Sequence, residues 1–265
     1  IYKGDSVYTA WTMDKALDEA RQAYAIKAQP VYKHQEARIL FTKGDYADAA
    51  NIFLDLTKTP INSGELYLEA AQAKTRLKAP DTEIEMLLDS AVSVGARTNM
   101  AGPYYLARGQ YLANKGLYRR AIQDFNMYDS IARPVDPAFF YARYQCETKL
   151  RMWQPALFDI ARTCYLAPKE PTFFAEWASL DLRVKRYDEG ISAASRCIEL
   201  APEYADGYLL LGLLYKEKNM KAEAIKNLKK AEELGDKRAA GYLEKIKKEE
   251  SFYEKNKKMG EKLWI

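Results

Sequence analysis

The chain has 265 residues, 41 Lys+Arg against 37 Asp+Glu for a formal charge of +4, and 48% hydrophobic residues. That apolar content builds a core and excludes a disordered chain. No apolar run approaches the roughly 20 residues of a membrane-spanning helix, since even Tyr208 to Tyr215 stops short, and 13 Gly with 10 Pro leave too few turn signals for a many-stranded β fold.

The chain opens on Ile1 rather than Met, which leads us to expect an upstream segment removed by processing or truncation. Residues Asp14 to Gln29 carry Ala16, Leu17, Ala20, Ala23, Tyr24 and Ile26 at helical spacing. They read as the second helix of a pair whose first helix is absent. Were Ile1 the true start, residues 1–12 would cover that face as an irregular cap, with Trp11 as its plug. Helix pairs then open near Pro30, Asn62, Gly102, Pro137, Pro171 and Tyr204, with Pro30, Pro137 and Pro171 suited to a first helical turn. The second pair carries Lys78-Ala79-Pro80-Asp81 at its turn and Ile84 at a small-residue position; the fifth carries Trp177-Ala178 and Gly190. Asp236 to Asn256 reads as a charged capping helix, with Ala240, Leu243, Ile246 and Phe252 or Tyr253 on its apolar side. The ending Leu263-Trp264-Ile265 is expected to pack on its own chain. The organisation is thus an N-terminal segment (1–29), about six helix pairs (30–235) and a C-terminal cap (236–265).

A period runs through these elements. Pro168 and Pro202 lie 34 residues apart, and Ala121, Ala156, Gly190 and Ala224 follow at intervals of 35, 34 and 34. The last pair reads Tyr208-x2-Leu211-Gly212-x2-Tyr215, then Ala224-x3-Leu228 and Ala231. Looser copies are Gly44-Asp45-Tyr46 with Ala49-x3-Phe53, and Gly109 followed by Gly116-Leu117-Tyr118 with Ala121-x3-Phe125. This pattern resembles the tetratricopeptide repeat over roughly residues 30 to 235. The resemblance implies an all-α, right-handed superhelical solenoid of antiparallel helix pairs, with the first helices lining a concave groove. Its packing logic is that neither helix of a pair can bury its apolar face alone, so small residues permit close approach while aromatics plug the next unit.

The residues carry little catalytic chemistry. His34 is the only histidine, and a Ser-His-Asp or Cys-His arrangement would have to be built around it. Cys146, Cys164 and Cys197 are odd in number and lack CxxC spacing, which points to buried thiols rather than disulfides or zinc. Neither GxGxxG nor GxxxxGK followed by Ser or Thr occurs. No enzyme activity, metal or cofactor is therefore expected. Between Lys216 and Lys262 there are 15 Lys+Arg and 10 Asp+Glu, but the signs are mixed and stacking aromatics are not interleaved, so no nucleic-acid partner is expected.

Tyr105, Phe140, Phe174 and Tyr208 occupy corresponding positions and read as plugs between helices. The groove is expected on other first-helix residues: Leu106, Gln110 and Asn114, then Tyr141, Gln145 and Lys149, then Ala175, Ser179 and Arg183. Amides there suit a peptide backbone and Tyr141 a flat anchor. The positions that supply a lysine, arginine and asparagine carboxylate clamp in chaperone-binding members of the family are here mainly Gln, Leu, Tyr, Ala and Ser, which argues against a carboxylate-clamp co-chaperone, while Lys149 and Arg183 can still meet an acidic residue. The expected function is non-catalytic binding of a protein or extended peptide through a mostly neutral groove with modest salt dependence. The alternatives are a structural assembly component, as in a bacterial envelope, and a small-molecule sensor or enzyme, for which no motif stands. The expected protein is soluble, cytoplasmic or periplasmic; sequence leaves compartment, partner and oligomeric state open.

Overall fold

A computed structural model describes residues 3–262, with side chains described for residues 12–249 and for Ser251. Fourteen α-helices and no strand occur among the described residues. The chain divides into two compact units, Ile1–Arg133 and Pro134–Ile265.

In the first unit, α1 (Lys3–Ile26) packs against α2 (Pro30–Lys43), and the antiparallel pairs are α2 with α3 (Tyr46–Leu56), α4 (Gly64–Arg76) with α5 (Asp81–Arg97), and α6 (Gly102–Asn114) with α7 (Tyr118–Ala132). Consecutive pairs stack through α3 on α4 and α5 on α6. In the second unit the pairs are α8 (Pro137–Lys149) with α9 (Trp153–Leu166), α10 (Pro171–Arg183) with α11 (Tyr187–Leu200), and α12 (Ala205–Glu217) with α13 (Lys221–Glu233). They stack through α9 on α10 and α11 on α12, and α14 (Lys237–Lys262) packs on α13. Within each unit the architecture is an all-α solenoid of helix pairs.

The helix starts follow local chemistry. Pro30, Pro137 and Pro171 stand in the first turns of α2, α8 and α10, where a missing N–H costs nothing. Asp136 caps α8 by accepting the Ala138 N–H at 2.9 Å. Turns inside the pairs pass through one left-handed residue: Gly44 (φ 97°), Lys78 (54°), Gly116 (76°), Arg151 (57°), Lys185 (64°) and Asn219 (60°). Four of these six positions lack glycine, at a cost of about 1 kcal/mol each relative to glycine.

Packing explains the period. Ala121, Ala156 and Ala224 are wholly buried, and a Cβ on Gly190 would lie 2.7 Å from a Leu214 methyl. One turn further along each second helix stand Phe53, Leu88, Phe125, Ile160, Ala194 and Leu228, all buried; the larger side chains contribute about 1.5–3 kcal/mol each. Phe125 fits because Gly109 faces it, where a Cβ would approach the ring to 2.9 Å. Ile84, out of pattern in sequence, is buried in the first unit's core beside Leu87 and Leu88.

Some elements depart from expectation. Residues 3–12 belong to α1 and are helical rather than an irregular cap, because Lys3–Ile26 continues one helix without a proline or glycine pair to stop it. Helix α1 ends at Ile26 instead of Gln29, and α14 extends to Lys262 rather than Asn256. The expectations for the Trp11, Phe252 and Tyr253 side chains and for Leu263-Trp264-Ile265 lie outside the described residues. Among the plugs, Phe140 is buried, whereas Tyr105, Phe174 and Tyr208 are half-buried. The three cysteines are free and buried, and burial pushes Cys146 and Cys197 up to about 11 and Cys164 to about 12, the environment of inert thiols.

Candidate functional site

In the first unit, α6 places Leu106 half-buried and Gln110 and Asn114 exposed. Their neighbours are electrostatically satisfied: the Tyr111 hydroxyl donates to Asp81 at 2.9 Å and Lys115 lies 2.6 Å from the same carboxylate. Those two donors hold Asp81 below the ordinary carboxylate range, while burial beside Asp81 pushes Tyr111 up to about 12. Further towards the N-terminus, His34 is hydrogen-bonded to Glu69, which also accepts from Arg38 Nε at 2.9 Å. Arg38, Glu69, Thr42, Gln72, Phe41 and Phe53 line a cavity of about 190 Å³ there. His34 therefore has a carboxylate partner, but no cysteine or serine nucleophile lines this cavity.

In the second unit, α8 and α10 bring together three of the expected residues. Lys149, Ser179 and Arg183 line one open cleft of about 340 Å³, shared with Tyr144, Thr148, Arg151, Trp153, Glu176 and Leu180. Tyr141 and Gln145 lie one turn apart on α8, outside that lining. Gln145 is exposed, but Tyr141 is half-buried, its ring 4.9 Å from Phe173 and stacked 5.7 Å from Tyr144. Burial with Glu176 nearby raises the Tyr141 hydroxyl above its ordinary range. Tyr141 is thus part of the packing as well as of the surface. Ala175 is 3% exposed and faces the core of α10 and α11, so it lines no groove.

The other six residues that line this cleft were not assigned to it from sequence. Tyr144 stands at the position that is Gly109, Ala178 or Gly212 in other pairs and donates its hydroxyl to Glu176 across α8 and α10 at 3.0 Å. Burial and that carboxylate raise its pKa far above the ordinary tyrosine range. Trp153 opens α9 and meets the Arg183 guanidinium 5.6 Å from its ring centroid. Arg151 enters from the left-handed turn. The cleft carries three cations against one carboxylate, so the neutral groove expected from first-helix positions alone is not what the tertiary arrangement presents here.

Beneath both surfaces run recurring ion pairs. Arg108 grips Asp124 with bonds of 2.8 and 2.7 Å and reaches Asp89 at 2.7 Å. Arg143 grips Asp159 with bonds of 2.6 and 2.9 Å, both residues buried. The pairs lie one repeat apart and join the first helix of a pair to its second. Glu147 adjoins the deeper one, its Oε2 buried without a hydrogen-bond partner, and burial beside Asp159 pushes it up to about 8. One repeat on, Asp181 is wholly buried with neither carboxylate oxygen hydrogen-bonded and Arg186 Nε 3.6 Å away. Asp124, Arg143, Glu147, Asp159 and Asp181 are buried, and none of them lines the α8–α10 cleft. Among the described residues no group of three His, Cys, Asp or Glu side chains can hold a metal ion, and no helix is long and apolar enough to cross a membrane.

No protein-family profile matches the chain, and no curated protein matches it. Solved structures do. The C-terminal part of a TPR repeat-containing protein from Cytophaga hutchinsonii superposes with a TM-score of 0.66 at 17% identity, over 89% of this chain and 96% of that one. YrrB, described as a TPR protein with an unusual peptide-binding site, gives 0.63 at 19% identity, over 74% and 99%. MamA from Desulfovibrio magneticus RS-1 gives 0.55 at 21% identity, over 64% and 94%. At such identities the likeness is one of fold: this chain shares the helix-pair architecture of tetratricopeptide-repeat proteins.

Proposed function

We propose that this chain is a tetratricopeptide-like, non-catalytic adaptor that binds a protein or extended peptide on first-helix faces, with Tyr141, Gln145, Lys149, Ser179 and Arg183 on α8 and α10 as contact residues in the second unit and Leu106, Gln110 and Asn114 on α6 as contact residues in the first. The observation that carries the reading is the open cleft between α8 and α10, in which Lys149, Ser179 and Arg183 converge beside the exposed Gln145. It offers what extended-peptide recognition uses: hydrogen-bonding side chains at helical intervals on rigid elements, flanked by aromatic rings. Likeness to YrrB, itself described as peptide-binding, supports the same reading.

The test is selection of a random 12-residue peptide library on the immobilised full chain, followed by titration of enriched peptides. Gln145→Ala with Lys149→Ala removes two exposed side chains and leaves Tyr141 packing intact, so the helical melt should be unchanged. Binding should weaken by about tenfold, the value of one or two lost hydrogen bonds. Enriched peptides indifferent to the double variant, or none enriched, would refute this face as the binding surface.

A further inference from the structure

We infer that the cleft between α8 and α10 accepts an acidic stretch of a partner polypeptide, an inference that rests on the peptide-binding reading of this face. Lys149, Arg151 and Arg183 line a space whose single carboxylate, Glu176, already accepts the Tyr144 hydroxyl. Lys149 and Arg151 make no ion pair with any described residue, and Arg183 meets the Trp153 ring instead of a carboxylate. Several other cations near the turns of the same unit have carboxylate partners: Arg186 has Asp181 and Glu189, Lys218 has Asp188, and Arg238 has Asp206 and Asp236. Lys149, Arg151 and Arg183 thus bring three cations into one cleft beside a single carboxylate.

Its placement is also specific. Arg151 occupies the left-handed turn position that Gly44 and Gly116 fill without strain, and the pattern Lys149-x-Arg151 returns one period later as Arg183-x-Lys185. Two successive turns thus present paired cations, with Lys185 again left-handed. Arg183 lies over the indole of Trp153, an arrangement that leaves guanidinium N–H groups for a carboxylate to bridge. Thr148 donates its hydroxyl to the Gln145 carbonyl at 2.8 Å, leaving its oxygen lone pairs to accept a peptide N–H. A single-stranded nucleic acid would require a succession of free rings for base stacking. Here the one indole in the cleft is covered by Arg183, so a carboxylate-bearing peptide fits the chemistry better.

The assay is fluorescence anisotropy with the full chain and labelled 12-residue probes in which glutamate, glutamine or lysine alternates with alanine around one tyrosine, together with a 12-nucleotide single strand. The glutamate probe should bind at least about tenfold tighter than the glutamine probe. That margin should vanish in Arg151→Gln with Arg183→Gln and shrink as ionic strength rises from about 0.05 to 0.5 M. Equal binding of glutamate and glutamine probes would overturn the inference while leaving the peptide reading standing, as would binding of library-selected peptides but of no probe. Failure of both probes and library would remove both readings. A nucleotide strand that binds through the two arginines while the glutamate probe does not would overturn the peptide as occupant. If the double variant melts early, Lys149→Gln alone, at an exposed position, must still weaken glutamate-probe binding several-fold for the inference to survive.

Discussion

Replacing Asp181 by asparagine should stabilise the protein at neutral pH, and the sign follows from its surroundings. Asp181 is wholly buried in α10, both carboxylate oxygens lack hydrogen bonds, and Arg186 stands 3.6 Å off. Burial pushes its pKa from the ordinary 3.8 to about 6, against a weaker pull from Arg186. Between those two values the folded state keeps a proton that the unfolded chain releases, so stability falls as pH rises through the window and the loss is complete above about pH 6. Each pKa unit is worth about 1.4 kcal/mol, so the ionised form costs the fold roughly 3 kcal/mol at pH 7. The Asp181→Asn change would remove the charge and keep the shape; the still unpaired amide offsets about 1 kcal/mol, leaving a net gain on the order of 2 kcal/mol. Urea unfolding from about pH 4 to 8 measures this, with hydrogen exchange of α10 and α11 amides reporting the local change should the array not melt as one. Across the acid window wild type should lose roughly 3 kcal/mol more than Asp181→Asn, whose remaining slope comes from Glu147 and the other carboxylates. Parallel pH profiles, or a variant less stable at pH 7, would refute the reasoning.

Glu147→Gln should behave similarly in a higher window. Burial and Asp159 push Glu147 up to about 8 from 4.5, so this group's contribution to wild-type stability declines from mildly acidic pH up to about 8 and is absent from the glutamine variant; thermal melts at about pH 6 and 9 compare them. Ala121→Leu should destabilise by about 1–3 kcal/mol through overpacking, because Ala121 has no exposed surface. Chemical denaturation checks this, and a neutral effect would mean that the α6–α7 interface yields more easily than its packing implies.

The repeat could be read from particular residues before any coordinates: the small residues Ala121, Ala156, Gly190 and Ala224 mark where two helices touch, and Pro30, Pro137 and Pro171 mark where helices start. Those roles depend on excluded volume and on backbone dihedrals, which act within a pair and leave a periodic trace in the chain. The turn at Lys78 and the buried Ile84 of the second pair broke the pattern, yet both are accommodated, one by a left-handed backbone and one by core packing. The buried pairs left a weaker trace: an arginine and an aspartate 16 residues apart, repeated after 35 as Arg108 with Asp124 and Arg143 with Asp159.

The cleft was legible only in part, because helical spacing says which side chains share a face but not what a neighbouring helix brings to it. Lys149, Ser179 and Arg183 were found from that spacing. Arg151 is aimed by a left-handed turn, Trp153 comes from the start of a second helix, and Tyr144 with Glu176 is a bond across two pairs. Sequence by itself determined the helix pairs, because their period is written in local packing requirements. Tertiary structure alone decided the charge of the cleft, because electrostatics depends on distances between residues that the chain keeps far apart.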